Sequence, residues 1–263
     1  MLPIVVLDAC VIFPMPLCDT LLRAAEAELY RPYFSQQILD EATRNLVKKQ
    51  KMTEAKAAKY QKHIKSAFPE AMVDVSEQLI ELMTNHFKDR HVLAAAVTAK
   101  AEAIVTFNLK DFPKAALDPL AIEAQHPDNF LLDLCEHHTV DVLAQVLRQQ
   151  AEDLKNPPHT VKDVLSRLSK QVPMFAEKLL FHEYGYRVAQ IAEKILEQTK
   201  KLVEGALVLN GQKYDLWQKN GTLTITDKNG RGEILRLQRG RLEGRLSLDD
   251  INIFEQASLS VNS

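Results

Sequence analysis

The stretch Ile4-Val5-Val6-Leu7-Asp8-Ala9-Cys10-Val11-Ile12-Phe13 decides the reading of this chain. An apolar run rich in β-branched residues meets one carboxylate and then continues apolar. This reads as a buried parallel strand with Asp8 at its carboxyl end, the rim where open α/β sheets place their ligands. A buried carboxylate without a partner is costly, so Asp8 needs one, and a metal ion satisfies it most economically. The competing reading is an aspartate that caps the next helix or a turn.

Working outward, residues 18–29 read as a helix with Leu21, Leu22, Ala25 and Leu29 on one face. Ser35 caps a helix running to about Lys49, with Ile38, Ala42 and Leu46 buried. Helices follow at about 54–66 and 76–85, then a compact Ala-rich one at 90–100. Ala103-Ile104-Val105-Thr106 is a second short buried strand, with a weaker one near 121–124. Strands separated by helical segments imply a parallel sheet flanked by helices.

From about 128 to 204 the pattern is helical, interrupted by Asn156-Pro157-Pro158 and Pro173. The character then changes. Asn210-Gly211, Asn220-Gly221 and Asn229-Gly230 punctuate alternating segments such as Thr222-Leu223-Thr224-Ile225-Thr226, which predicts an antiparallel meander over 206–246 and a short helix from about Ser247. The expected organisation is an α/β unit over 1–135, a helical annex over 136–204 and a small β-rich module over 205–263.

Bulk properties narrow the chemistry. A formal net charge of −2 makes any nucleic-acid surface a local one. Cys10, Cys18 and Cys135 form no C-x-x-C pair, which argues against a disulfide or zinc framework. The apolar N-terminus lacks a basic leader and is broken by Pro3, Asp8 and Pro14, and no apolar stretch reaches membrane-span length; a cytoplasmic protein is expected. There is no G-x-S-x-G elbow, no phosphate loop and no dinucleotide fingerprint.

Five further positions join Asp8. Helical geometry puts Glu41 beside the buried stripe and its neighbour Asp40 in solvent; the plainer alternative for Glu41 is an exposed pair with Arg44. Asp89 precedes the Ala-rich helix, where it can cap, ligate, or do both. Thr106, Asn108 and Asp111 leave the second buried strand on the same rim as Asp8, although a polar turn would need the same residues. Acids without His or Cys ligands suit a hard cation, Mg2+ or Mn2+, and phosphodiester hydrolysis is the natural chemistry. His137 and His138 lie outside this set and read as surface residues.

The segments LDACVIF at 7–13, ILDEATRNL at 38–46, DRHVLAAAV at 89–97 and IVTFNLKDFP at 104–113 resemble the PIN-domain ribonucleases, most closely the VapC-like toxins of bacterial toxin–antitoxin systems. IEAQHPDNFL at 122–131, and the helices to about residue 182, look like a longer subgroup of that family. The resemblance implies a metal-dependent endoribonuclease with Asp8, Glu41 and Asp89 at the family's acidic positions. Asn108 stands where many members carry another aspartate, and Asp111 is the candidate to supply it, which leaves the number of bound metals open. Implied partners are an RNA substrate, a cognate antitoxin and a second copy in a homodimer. In this reading Asp8, Asp89, Glu41 and Asp111 hold the ion, Asn108 and Thr106 orient water or a phosphate oxygen, and Arg44 or Arg90 meets the strand being cut. The alternatives are a PIN nuclease of RNA processing or DNA without an antitoxin, and a non-catalytic nucleic-acid-binding protein.

The resemblance ends before the β-rich module. Its basic residues at 213, 219, 228, 231, 236, 239, 241 and 245 outnumber the acids at 215, 227, 233 and 243. Phosphate contacts with Tyr214 and Trp217 as stacking surfaces are one reading. The plainer expectation is a solvated sheet face with Trp217 in the core of the module.

Overall fold

The computed structural model describes residues 2–12, 15–49, 52–199, 207–209 and 212–261. Contacts divide the chain into two compact units, Met1–Pro158 and His159–Ser263.

In the first unit, β1 (Ile4–Leu7) leads to α1 (Ala9–Ile12) and α2 (Met15–Glu26), then to β2 (Arg31–Ser35). Next come α3 (Gln36–Lys48), α4 (Glu54–Ala67), β3 (Met72–Val73), α5 (Glu77–Leu82) and α6 (Arg90–Ala99). The unit continues through β4 (Ala103–Val105), α7 (Lys114–Leu117), β5 (Glu123–Gln125), α8 (Pro127–His138) and α9 (Val140–Asp153). The strands form one parallel sheet in the order β3-β2-β1-β4-β5. The chain builds outward from β1 to one side and then returns to the other, so the switch in strand order falls between β1 and β4. Crevices at the carboxyl ends of strands flanking such a switch are the usual ligand sites of open α/β sheets.

Val5, Val6, Leu7, Phe34, Ile104 and Val105 are buried sheet residues. The small side chains Ala94, Ala95 and Ala96 are fully buried and let α6 lie close against β1, β2 and β4. Ser35 caps α3 as expected, its hydroxyl accepting from Ile38 N at 3.3 Å.

Several sequence expectations shift. The helix expected over 18–29 begins and ends earlier, and Glu28 takes a left-handed conformation just after it (φ 58°). The helix expected over 76–85 is only α5, and Leu82 is exposed. The strand near 121–124 lies at 123–125 because Ala121 adopts φ 53° in the turn before it. β2 and β3 have no counterpart in the sequence reading; β2 carries Arg31 and Pro32 and shows no alternation.

In the second unit, α10 (Val161–Leu168) and the long α11 (Pro173–Thr199) precede an antiparallel sheet, and α12 (Leu248–Val261) follows it. The strands β6 (Leu207–Leu209), β7 (Gln212–Lys219), β8 (Thr222–Asp227), β9 (Gly232–Gln238) and β10 (Arg241–Gly244) pair in chain order, the expected meander. Asn220 and Gly221 turn with φ 51° and 72°, the positive pair that a tight hairpin requires. The Asn210-Gly211 turn lies outside the described residues.

α11 and α12 pack together, and α11 also packs on β7, β8, β9 and β10. A Cβ on Gly185 would come within 2.6 Å of Leu242 Cδ2, so a larger residue there would require the Leu242 side chain to shift. Tyr214, Leu223, Ile225, Leu235 and Phe254 fill the core of the unit. Trp217 does not: it is 61% exposed, which corrects the expectation of a core tryptophan. Tyr214 is buried, its hydroxyl donating to Asp250 at 2.7 Å, and cannot stack on a ligand. Among the described residues, no helix is long and apolar enough to cross a membrane.

Candidate active site

The β1–β4 ladder reaches one residue past its strands. Asp8 N donates to Val105 O at 3.1 Å, and Thr106 N donates to Gln125 O at 2.9 Å on the next strand. Asp8 and Thr106 therefore emerge side by side at the carboxyl edge. Thr106 Oγ1 donates to Asp8 Oδ2 at 2.6 Å and accepts from Asn108 N at 2.9 Å. Its proton is thus committed to Asp8. Thr106 thus contacts Asp8 directly, an arrangement the sequence reading of Thr106 as orienting water or a phosphate oxygen did not include.

Cys10 Sγ donates to the same Oδ2 at 3.1 Å and accepts from Phe107 N at 3.2 Å. Burial, reinforced by the charge of Asp8, pushes the Cys10 thiol far above its usual pKa. The thiol therefore stays protonated and serves as a donor rather than a nucleophile. Among the described residues no donor reaches Asp8 Oδ1, which is left for a different partner.

Asp89 occupies the N-cap position of α6, but its side chain makes no capping hydrogen bond. It points instead to His86, whose Nδ1 lies 3.3 Å from Asp89 Oδ2. Asp111 closes a 3-10 turn after Asn108, and its carbonyl accepts from His86 N at 3.2 Å. One ligand atom each from His86, Asp89 and Asp111 lie within 4.8 Å of one another. Burial raises the pKa of the Asp89 carboxyl above its ordinary value; the charge of Asp8 raises it further, and those of Asp111 and Glu41 add to it, against the lowering effect of His86. The other three acids singled out in the sequence, Asp8, Asp111 and Glu41, are therefore each within electrostatic reach of Asp89.

Glu41 sits at the margin. It is 40% exposed on α3 and lies 3.4 Å from Nε2 of buried His91. The approach of His91 is the main reason its carboxyl titrates below the usual range, although Nε2 does not meet it with hydrogen-bond geometry; desolvation opposes, and the charges of His91 and Arg44 assist. Arg44 acts only through its charge and forms no ion pair with Glu41 among the described residues, so the exposed-pair alternative is not what the helix adopts. Asp40 faces solvent as expected, accepting from Gln36 and Gln61. Arg90 turns back toward Asn85 O at 3.5 Å.

Sequence reasoning missed His86 and His91. A lone His between Asn85 and Phe87 carries no local signal, whereas its spacing of three from Asp89 puts both on one turn. The donor set fits a divalent cation. It combines clustered carboxylates, one of which is costly to ionise, with an imidazole, and beside them lies an Asp8 oxygen that no donor meets among the described residues.

A family model described as PIN domain matches residues 4–110, and one described as VapC50 C-terminal domain matches residues 127–181. The chain is 50% identical over 100 residues to a Mycobacterium tuberculosis protein named "Putative ribonuclease VapC50". The matched stretch is 38% of this chain and 59% of that protein, less than two thirds of its length. No solved structure matches the chain. Over residues 4–110 the chain is thus similar to PIN domains, and over 127–181 to the VapC50 C-terminal type.

Proposed function

We propose that this protein is a Mg2+- or Mn2+-dependent endoribonuclease that acts as a toxin and is neutralised by a cognate antitoxin. The observation that carries the reading is the cluster of His86, Asp89 and Asp111, in which Asp89 is destabilised as an anion by burial and by the charge of Asp8 at the end of β1. Asp8, Asp89 and Asp111 would hold the ion, joined by Glu41 from the margin. When bound, such an ion supplies positive charge against a phosphodiester and lowers the pKa of the water it binds.

The protein's own residues supply the rest. Thr106 and Cys10 fix the Asp8 carboxylate through one oxygen, and the nearby His91 lowers the pKa of the Glu41 carboxyl. Asn108, from the same loop as Asp111, contributes an amide able to orient a phosphate oxygen. The relative's printed name, "Putative ribonuclease VapC50", supports RNA as substrate, and the resemblance to VapC-like toxins supports a toxin–antitoxin setting.

The test is cleavage of total RNA by the full chain with Mg2+ or Mn2+, with EDTA, and by Asp8→Asn. Cleavage that needs the ion and Asp8 is expected. Undiminished cleavage in EDTA or by Asp8→Asn sinks the assignment.

A further inference from the structure

The sheet of the second unit packs one face and leaves the other bare. Along β8, Leu223, Ile225 and Asp227 are buried while Thr222, Thr224 and Thr226 are not. The strand register carries the bare face across the sheet. One row reads Lys219, Thr222, Gln238, Arg241, and the next Trp217, Thr224, Arg236, Glu243. The turns at 220–221 and 239–240 close the same end of the sheet, so Arg239 joins Lys219 and Arg241 there. Tyr186 of α11 donates to Gly240 O at 2.9 Å and pins the second of these turns.

Trp217 is the anomaly. It sits on an interior strand yet remains 61% exposed, forgoing most of the stabilisation that burying a large apolar ring returns. The apolar area it offers is one ring rimmed by charge, not the broad apolar centre of a protein–protein interface. Arg236 leans on Glu233 at 2.7 Å and Arg241 on Glu243 at 2.9 Å, but exposed pairs of this kind contribute little and exchange readily for another anion. Lys219 and Arg239 add positive charge at the same end. The ring therefore lies among hydroxyls and ion pairs, Lys228 with Asp215 included, and a ligand that draws the cations of such pairs onto itself while offering a ring to Trp217 carries flat rings and phosphates in alternation, with the rings unpaired and free to stack.

We propose that this face binds single-stranded RNA, a base stacking on Trp217 while Lys219, Arg236 and Arg241 meet phosphates; the choice of RNA over DNA rests on the ribonuclease reading above. Arg231 takes no part, since it is held by Asp227 and Asp250 on the far side of the sheet.

Trp217 is the chain's single tryptophan, so its emission reports on this face alone. The full chain is titrated in EDTA with a short oligouridylate, an oligothymidylate and an RNA duplex, with anisotropy of the labelled oligonucleotides read in parallel. Saturable quenching by the single-stranded RNA is expected, with weaker responses to the other two. Trp217→Ala should bind oligouridylate about 10- to 100-fold more weakly. Lys219→Glu with Arg241→Glu should weaken binding and flatten the salt dependence by about 0.7 in log–log slope per lost phosphate contact. Far-UV circular dichroism establishes that these surface variants fold. RNA binding seen by anisotropy without any change in Trp217 emission overturns the proposal, as does equal quenching by DNA or duplex. RNA cleavage with Mg2+ separates the two readings. Cleavage without quenching removes this face alone, and quenching without cleavage removes the ribonuclease while the RNA-binding face stands.

Discussion

Thr106 Oγ1 and Asp8 Oδ2, 98 residues apart in the chain, meet at 2.6 Å where β1 and β4 end. The bond joins the two buried strands chemically at the point where their backbone ladder stops. It also chooses which carboxylate oxygen remains for a cation. Thr106→Val keeps the shape and removes the donor, with a loss of about 1.5–3 kcal/mol expected for a hydrogen bond to a charged group. Outer partners of metal ligands are worth about 10- to 100-fold in affinity, so Mn2+ binding measured by calorimetry should weaken on that scale and recover in Thr106→Ser. Unchanged Mn2+ affinity in Thr106→Val would show that the hydroxyl is not what orients Asp8.

Asp89 makes stability depend on pH in a defined sense. Its folded pKa is raised, first by burial and then by Asp8, so the folded chain holds this proton more tightly than the unfolded chain does. The contribution of this group is therefore full below its ordinary 3.8 and is lost as pH rises toward the raised value. Metal-free wild type should lose melting temperature across that window relative to Asp89→Asn. Above the window, millimolar Mn2+ should restore the wild type and leave Asp89→Asn unmoved. Parallel pH curves for the two proteins in scanning calorimetry would contradict the assignment.

Adjacent acids on α3 offer a control built into the sequence. Glu41 faces His91, whereas Asp40 bonds only Gln36 and Gln61 at the surface. Glu41→Gln should lower turnover by about 10² or more, the scale of a lost catalytic group, with Asp40→Asn close to wild type. Equal losses would mean that the difference in their surroundings is irrelevant to the reaction.

The site was legible where one residue type interrupts a pattern. Asp8 breaks an apolar strand, Asp89 stands at the start of an Ala-rich helix, and Asp111 follows a buried strand; each break marks a strand end or helix start, and the parallel sheet gathers such ends at one rim. His86 was not legible because its partners, Asp89 and the carbonyl of Asp111, are assembled by two loops rather than by one periodic element. β2 was hidden by Pro32, which pairs with Val5 in the middle of the sheet, and by a length of five residues. The meander was legible through its Asn-Gly turns. The turn at Arg239-Gly240 carries no such signature yet adopts the same positive φ pair, 51° and 79°. The exposure of Trp217 could not be read from composition, since a one-residue change of register would have buried it.

Asp250 and Arg231 hold the second unit together, and their chemistry predicts how it fails in acid. Asp250 is fully buried, which by itself would raise its pKa, but the bonds from Arg231, Ser247 and Tyr214 outweigh burial and hold the carboxyl below the usual range. Stability from a lowered acid is present above its ordinary pKa and disappears as pH falls through the folded value. Arg231→Leu would leave the carboxylate buried with Ser247 and Tyr214 alone. Breaking a fully buried pair costs about 3–5 kcal/mol, and because Arg231 is 38% exposed we expect roughly 1–3 kcal/mol at neutral pH. The acid-unfolding midpoint, followed by near-UV circular dichroism, should move to higher pH in Arg231→Leu. Arg231→Lys should fall between the two, because an ammonium replaces the charge but not the fork that reaches Asp250 through two nitrogens and Asp227 through a third. An unmoved midpoint in Arg231→Leu would place the acid-sensitive link of this unit somewhere other than Asp250.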